Sequence, residues 1–548
     1  MLNVEVKCLN PDYEMKKIFG SRVVMAEQHQ RAAGAHNLHG RRGRGNRGLG
    51  GGQHQHHRSS GRASHSLIAP KPTWPNPGKT GLTMRFLDSD KHGNQYFTFE
   101  HNSAYQSVQR QFFDAVESMN PDFIVQILNS HPFHVDSMLQ LSDICKMGED
   151  NQMATELIER SLYAMESAFH PLFNLAVGTS RLDYKRQENR AFYLALFRHL
   201  NYVGSRACYR TALELCKLML SLDPQGDPLG VTLMIDFYAL RANQHAWLLR
   251  FYSEWESAGR NLSQLPNFAY AVAVGYFYTA RQTIDSGSTV DEVLMESAND
   301  ALQKALIMFP GVLLPLLDKC SIEPDKKALG HRFFLEAQAP PDSSSSQLRG
   351  LAMLCALYVG RSFHIWKDPD LLPWLEQNVT KVIERVDSNT DQFVLDCEEK
   401  RKIRYQGTPR NIHRHIAISD IKEATSALPR DLANIPVLSY DPLPPLDSIN
   451  TYTDKDNSQG VAGSIDDPSA FRMFFRSLLP NYNPNDATAR TDDQRAVEGA
   501  EGGGDLRRSV TTLLDAMQDL LGGLHLPEIP NDGAASADSE NDDEDDWA

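Results

Sequence analysis

The chain has 548 residues, of which 41% are hydrophobic, and a formal net charge of −15 at pH 7, so it can hold several domains or one extended array. Its seven cysteines are scattered and no apolar run approaches the ~20 residues of a membrane span, which excludes a disulfide scaffold and a transmembrane protein. Reduced thiols and the lack of an apolar signal region predict a cytoplasmic protein, with a nuclear location left open.

Residues 1–27 are predicted to form a short docking motif built around one helix. Asn10 can cap a helix whose first residue is Pro11, acidic residues fill its first turn, and Gly20 ends it. A helix this short is marginal alone, so it should pack on the body of the protein or on a partner, and both remain open. The side chains predicted to dock are Tyr13, Met15, Ile18 and Phe19.

Residues 28–81 form a basic arm, rich in Gly, Arg and His and then in Pro, which has too little apolar surface to fold and is predicted to be disordered. From position 28 to position 87 there are eight Arg and two Lys but no acidic residue. Such an arm can bind the phosphates of ribosomal RNA without reading a sequence, and a purely solvated arm is the alternative. The arginines predicted to make these contacts are Arg41, Arg42, Arg44, Arg47, Arg58 and Arg62.

Residues 82–428 are predicted to be a helical domain. Residues 82–100 favour a strand pair or an extended strip, and from about residue 103 the apolar residues follow the 3.6-residue period of helices. Later helices are predicted at 347–364, 370–387, 391–405 and 411–427.

Two stretches of this domain share a pattern that is typical of the second helix of helix–turn–helix repeats, in which small and apolar residues precede a helix-ending proline. The matching residues are Ala212, Cys216, Met219 and Pro224, and Ala298, Leu302, Ala305 and Pro310. The pattern predicts an all-α fold, a tetratricopeptide-like α-solenoid of helical hairpins. Such arrays usually hold other macromolecules on an extended surface.

Residues 429–482 are predicted to be an extended strap or linker that ends in an apolar island. Residues 483–548 are predicted to be mostly disordered, with a short helix over 506–524 and an acidic tail in which seven of nine residues from 538 to 546 are Asp or Glu. The island would dock on a partner or pack back onto the helices. Its residues are Phe474, Phe475, Leu478, Leu479 and Tyr482.

The sequence favours binding over catalysis, because none of the catalytic motifs that we sought is present. Residues 78–80 (GKT) resemble the end of a phosphate-binding loop, but Thr73 stands where that motif needs glycine. His413 and His415 lack a Cys or an acidic residue at ligand spacing, so we interpret them as part of a charged helix start. We therefore predict no enzymatic activity, no cofactor and no metal.

Several long strings resemble one known family. They include NPDYEM at 10–15, AFHPLF at 168–173, NLSQLPNF at 261–268, PRNIHRH at 409–415 and FFRSLLPNY at 474–482. On these strings the chain resembles the transcription factor twenty-five family, whose fungal relative is subunit one of the ribosome quality control complex. Family members carry a long, Lys-rich extension before the first string. We expect the contacts of that extension to be absent here.

The resemblance implies a tetratricopeptide-like scaffold without enzymatic activity that acts on stalled nascent chains on the large ribosomal subunit. The implied partners are the Listerin ubiquitin ligase, ubiquitin, the nuclear export mediator factor, the valosin-containing ATPase and the large ribosomal subunit. In this setting the scaffold would promote degradative ubiquitin chains made by Listerin. The alternative is a nuclear transcriptional corepressor that acts through protein contacts, since the sequence has no basic helix that leads into a dimerisation helix.

Overall fold

A computed structural model describes residues 1–23, 67–71, 74–75, 80–285, 291–323, 325–338, 346–388, 390–405, 407–428 and 438–452. The described chain is mainly helical, which confirms the predicted fold class. A three-stranded sheet accompanies the helices, with β1 (Leu82–Ser89) antiparallel to β2 (Gln95–His101) and β3 (Ser180–Leu182) parallel to β2. The strand pair expected from residues 82–100 is therefore confirmed.

Many of the α-helices are joined to the next one by a short turn. In chain order they are α1 (Pro11–Phe19), α2 (Ser103–Glu117), α3 (Pro121–Ser130), α4 (Val135–Met147), α5 (Asn151–Glu166), α6 (Gln187–Ser205), α7 (Tyr209–Leu222), α8 (Ile235–Arg241), α9 (His245–Ser257), α10 (Pro266–Asp285), α11 (Glu292–Met308), α12 (Leu313–Cys320), α13 (Lys326–Gly330), α14 (Arg332–Glu336), α15 (Ser346–Trp366), α16 (Leu371–Asp387), α17 (Gln392–Ile403), α18 (Arg410–Ile418) and α19 (Lys422–Ser426).

Side-chain caps fix several of the helix starts. The side chain of Asn120 accepts a hydrogen bond from the backbone amide of Asp122, and Pro121 occupies the first position of α3. Asp150 accepts in the same way from the amide of Met153 at the start of α5. Each cap satisfies an amide that the helix itself leaves without a partner and so stabilises the helix start.

The repeated pattern lies on α7 and α11. Both helices end before the proline of the pattern, at Leu222 and Met308, and the small and apolar residues of the pattern on each helix are buried. Each helix packs against the helix before it, α7 against α6 and α11 against α10, and α11 also packs against α16 and α17. Consecutive helices therefore build one continuous core, whereas the curved solenoid form stays a prediction.

One predicted helix is two in the structure. Residues 411–427 form α18 and α19, and Asp420 between them has a φ of 55°. A non-glycine residue in this left-handed region breaks the right-handed helix path. The prediction of a single helix was wrong because the spacing of apolar residues does not show that one residue between them has a positive φ.

Residues 438–452, which we call the strap segment, lie against the helical domain. The Arg190 guanidinium on α6 pairs with the Asp441 carboxylate at 2.7 Å, and both side chains are largely buried. Ile449 forms a parallel β-bridge with Arg186, just before α6. Charge pairing and backbone pairing together hold this segment, since a buried charge is stable only with a partner.

Among the residues that the structure describes, no single helix is both long and apolar enough to cross a bilayer. The α11 helix and residues 310–320 meet the length and composition test only together, as a pair bent by 86°.

Candidate partner-docking surface at the N-terminus

The N-terminal helix α1 begins and ends where the sequence predicts. The Asn10 side chain accepts a hydrogen bond from the amide of Asp12, Pro11 fills the first position, and Gly20 follows the helix with a φ of 83°. Acidic side chains lie in the first turn and Lys16 and Lys17 in the last, the arrangement that the helix dipole favours. The predicted helix is therefore present.

Glu14 ties α1 to α7 by supplying the cap that α7 lacks. Cys208 precedes α7 but makes no side-chain cap. Instead, the Glu14 carboxylate accepts hydrogen bonds from the backbone amides of Arg210 and Thr211, at 2.9 and 2.8 Å. Because the first amides of a helix carry partial positive charge, a carboxylate is a favourable acceptor there. A segment about 200 positions away in the chain thus completes α7.

A charged network anchors the residues before α1 on the same helix. The Glu214 carboxylate is fully buried and binds the side chains of Lys217 and Arg210, at 2.8 and 3.0 Å. It also accepts the backbone amide of Glu5 at 2.8 Å, and the Glu5 carboxylate pairs with Arg210 at 2.9 Å. The buried charge of Glu214 therefore has three donors, and one of them comes from the N-terminal segment.

Apolar burial and backbone contacts complete this anchoring. Leu9 is fully buried and Val4 nearly so in the main core of the protein, and Cys8 is also buried. The Val4 amide donates to the carbonyl of Ala176 at 2.9 Å, and the Trp247 indole donates to the carbonyl of Met1. The residues before α1 are thus an integral part of the helical domain.

The last turn of α1 carries its apolar face out into solvent. Met15, Ile18 and Phe19 share one side of the helix by their spacing of three and four residues. Met15 packs against the main core, whereas 55% of Ile18 and 61% of Phe19 are exposed. Tyr13 is 46% exposed, and Val23 beyond the helix is also exposed. We call Tyr13, Ile18, Phe19 and Val23 the N-terminal apolar surface.

The structure thus divides the predicted N-terminal docking residues into two groups. Met15 contacts the body of the protein, and Tyr13, Ile18 and Phe19 remain available to a partner. The predicted island and the predicted arginines of the basic arm lie outside the described residues: Phe474, Phe475, Leu478, Leu479, Tyr482, Arg41, Arg42, Arg44, Arg47, Arg58 and Arg62. Both remain predictions.

His415, one of the two histidines considered as metal ligands, has a structural role instead. The Nδ1 atom of His415 lies 2.7 Å from the carbonyl oxygen of Leu229, and its Nε2 atom lies 2.8 Å from the Arg361 guanidinium. A carbonyl only accepts and a guanidinium only donates, so the ring is neutral and both nitrogens are occupied. Burial, together with Arg361, holds the pKa of His415 well below its ordinary value. His415 therefore has no free nitrogen for a metal.

Arg414 has a role that sequence reasoning missed. Its buried guanidinium donates to the carbonyls of Pro228, Pro442 and Leu443, which joins α18 to the loop after α7 and to the strap segment. The predicted helix start is present, since α18 begins at Arg410, but Arg414 and His415 are buried within it. Only their contacts, which span up to 186 positions of the chain, reveal the role.

Comparisons with known proteins agree on one family. The family model described as transcriptional repressor TCF25 matches residues 97–445. A mouse protein named ribosome quality control complex subunit TCF25 is 45% identical over 96% of this chain and 72% of its own length. The human protein of that name is 44% identical over 98% of this chain and 74% of its own. The Schizosaccharomyces pombe protein named ribosome quality control complex subunit 1 is 30% identical over 81% of this chain and 58% of its own length. No solved structure matches the chain.

Proposed function

The chain belongs to the transcriptional repressor TCF25 family, and from that membership we propose that it is a noncatalytic scaffold subunit of a ribosome quality control complex. In this role it acts on stalled nascent chains on the large ribosomal subunit and promotes degradative ubiquitin chains made by the Listerin ligase. The observation that carries the proposal is its similarity, over nearly its whole length, to mammalian proteins named as subunits of that complex. We place this activity in the cytoplasm.

The mechanism that we propose is positioning. A scaffold that holds a ligase and its substrate together turns an encounter between free molecules into a local one, and the effective concentration rises to the millimolar range for short tethers. No bond needs to form or break on the scaffold itself. Listerin, ubiquitin, the nuclear export mediator factor and the valosin-containing ATPase are the partners that we propose.

The chemistry of the buried polar groups supports a noncatalytic role. His134 binds the side-chain oxygen of Gln109 at 3.0 Å, and the amide nitrogen of Gln109 binds Asp136. Burial raises the pKa of Asp136 to about 7 and lowers that of His134 to about 3, but both side chains are buried and satisfied within the protein. Shifted pKa values in such a closed network favour a structural role over acid–base chemistry on a substrate.

The N-terminal apolar surface is the contact that we propose for a protein partner of the complex. It presents large apolar side chains on a helix whose base is fixed by Glu14 and Leu9, so a partner meets a rigid element. The basic arm, through its six arginines, is proposed to contact ribosomal RNA. Salt concentration distinguishes the two contacts, because phosphate binding weakens steeply as salt rises whereas apolar burial does not weaken.

Sedimentation on sucrose gradients tests the proposal. After translational stalling, the full chain should sediment with large ribosomal subunits, and the double variant Ile18→Asp/Phe19→Asp should shift toward the top of the gradient. Val293→Asp/Leu395→Asp changes two exposed apolar residues elsewhere and serves as the matched control. If the unaltered chain stays at the top of the gradient after stalling, the proposed function is wrong.

A second candidate function is favoured by the description of the matching family model. That description, transcriptional repressor, suggests a nuclear corepressor that acts through protein contacts. Retention of the chain in chromatin, with none in the large-subunit fractions after stalling, would support this candidate against the first.

A further inference from the structure

A groove opens beside the ends of α8 and α15. It is lined by the end of α8, by the middle of α10 and by the connection from α15 to α16. Its floor is apolar, because Leu240 and Ile365 are buried there and Pro369 closes one side. Arg241, His364 and Lys367 are exposed along its rim.

The rim carries cations without carboxylate partners. The Arg241 guanidinium contacts only the Tyr209 side chain among its described neighbours, by a hydrogen bond of 2.8 Å and by stacking over the ring. The Lys367 ammonium lies 5.1 Å from the centre of the Phe363 ring, and within the described ranges no carboxylate pairs with it. The pKa of His364 is lowered, mainly by burial and then by the positive charges of Lys367, Arg241 and Lys319. Three cations therefore lie near this ring. Arg241 and Lys367 are therefore rim cations that no described carboxylate pairs with directly.

Three acidic groups lie near the groove. Asp368 lines it and accepts the hydroxyl of Tyr278 at 2.6 Å, but a neutral hydroxyl does not cancel the charge of the carboxylate, so Asp368 offsets part of the positive charge of Arg241 and Lys367. Asp370 pairs with Arg281 at 2.9 Å, and Glu423 pairs with Lys319. Arg241 and His364 also lie in the last turns of their helices, which the helix dipoles favour. The helix dipoles alone can explain why these cations stand at helix ends. A binding measurement, and not a stability measurement, is therefore needed to test whether they contact a ligand.

We propose that this groove binds an acidic peptide segment of a partner protein, with an apolar side chain on the floor and carboxylates against Arg241 and Lys367. Charge complementarity at the rim would supply orientation and rate of encounter, and burial on the floor would supply affinity. A peptide fits better than a nucleic acid, because the aliphatic side chains of Leu240 and Ile365 line the floor, and His245 already covers one face of the Tyr278 ring, on which a base could stack.

Fluorescence anisotropy with the full chain tests this proposal. The probe is a fluorescein-labelled peptide of alternating Glu and Leu, and its counterpart has Gln in place of every Glu. We expect the variant Arg241→Glu/Lys367→Glu to weaken binding of the acidic probe at least about tenfold. The neutral counterpart should bind the unaltered chain at least about tenfold more weakly than the acidic probe does.

A matched variant controls for long-range charge. Lys326→Glu/Lys327→Glu makes the same change in net charge on the exposed surface of α13 and keeps the same basic arm, so it should bind like the unaltered chain. If the groove variant fails to fold, as judged by circular dichroism, Arg241→Gln/Lys367→Gln replaces it. The proposal is overturned if the groove variant binds like the control, if the acidic probe does not bind, or if only oligouridine binding depends on the groove. Sedimentation with ribosomes is independent of these outcomes.

Discussion

Replacing Glu14 with alanine tests whether α1 is held by the cap that it gives to α7. The change removes both acceptors of the Arg210 and Thr211 amides and leaves α7 without a side-chain cap. Loss of such a cap costs about 0.5–2 kcal/mol. This cost corresponds to a factor of roughly 2 to 30 in an equilibrium constant, so exchange of these two amides should accelerate by that factor.

Hydrogen exchange resolved at single amides is the assay. Glu14→Gln keeps one side-chain oxygen as an acceptor and should fall between alanine and the unaltered chain. Lys17→Ala changes an exposed side chain of the same helix and should leave both amides protected. If Glu14→Ala leaves the exchange of both amides unchanged, α7 is capped by other means and the account of α1 docking fails.

Three further predictions concern stability, measured by urea unfolding. Arg414→Leu leaves three buried carbonyls without their donor and should lower the free energy of unfolding by roughly 3 kcal/mol. The control Arg332→Leu changes an exposed arginine and should have no measurable effect. Equal effects of the two variants would contradict the role of Arg414. Burial raises the pKa of Asp136 to about 7, so the folded protein loses stability as pH rises from 4 to 7 and this carboxyl group ionises. Asp136→Asn cannot ionise, so its free energy of unfolding should rise relative to that of the unaltered chain between pH 5 and pH 8. A constant difference between the two proteins across that range would refute this. Leu9→Ala should cost about 2–5 kcal/mol because Leu9 is fully buried, and Ile18→Ala should change little; a similar loss from both would show that α1 has no free face.

Local signals in the sequence were sufficient to predict many elements. A capping side chain followed by proline marked the starts of α1 and α3, and a proline after an apolar run marked the ends of α7 and α11. These signals act within a few residues, through amides that need acceptors and a ring that cannot continue a helix. They do not depend on the rest of the fold.

The contacts that build the candidate surface could not be predicted in this way. Glu14 reads as an ordinary acidic residue in the first turn of a helix, and its partners lie 196 and 197 positions away. Likewise, the exposure of Ile18 and the burial of Met15 depend on where the body of the protein ends, although both residues share one side of α1. The sequence indicates an apolar face, and only the fold shows which part of it is covered.

Reconstituted ubiquitination tests the central claim most directly. Large ribosomal subunits with a stalled nascent chain, Listerin, ubiquitin and its activating and conjugating enzymes would be combined with or without this protein, and the length of the ubiquitin chains would be followed over time. A scaffold should speed chain elongation when Listerin is present and transfer no ubiquitin when Listerin is omitted. Transfer without the ligase, or elongation at the same rate with and without the protein, would contradict the account.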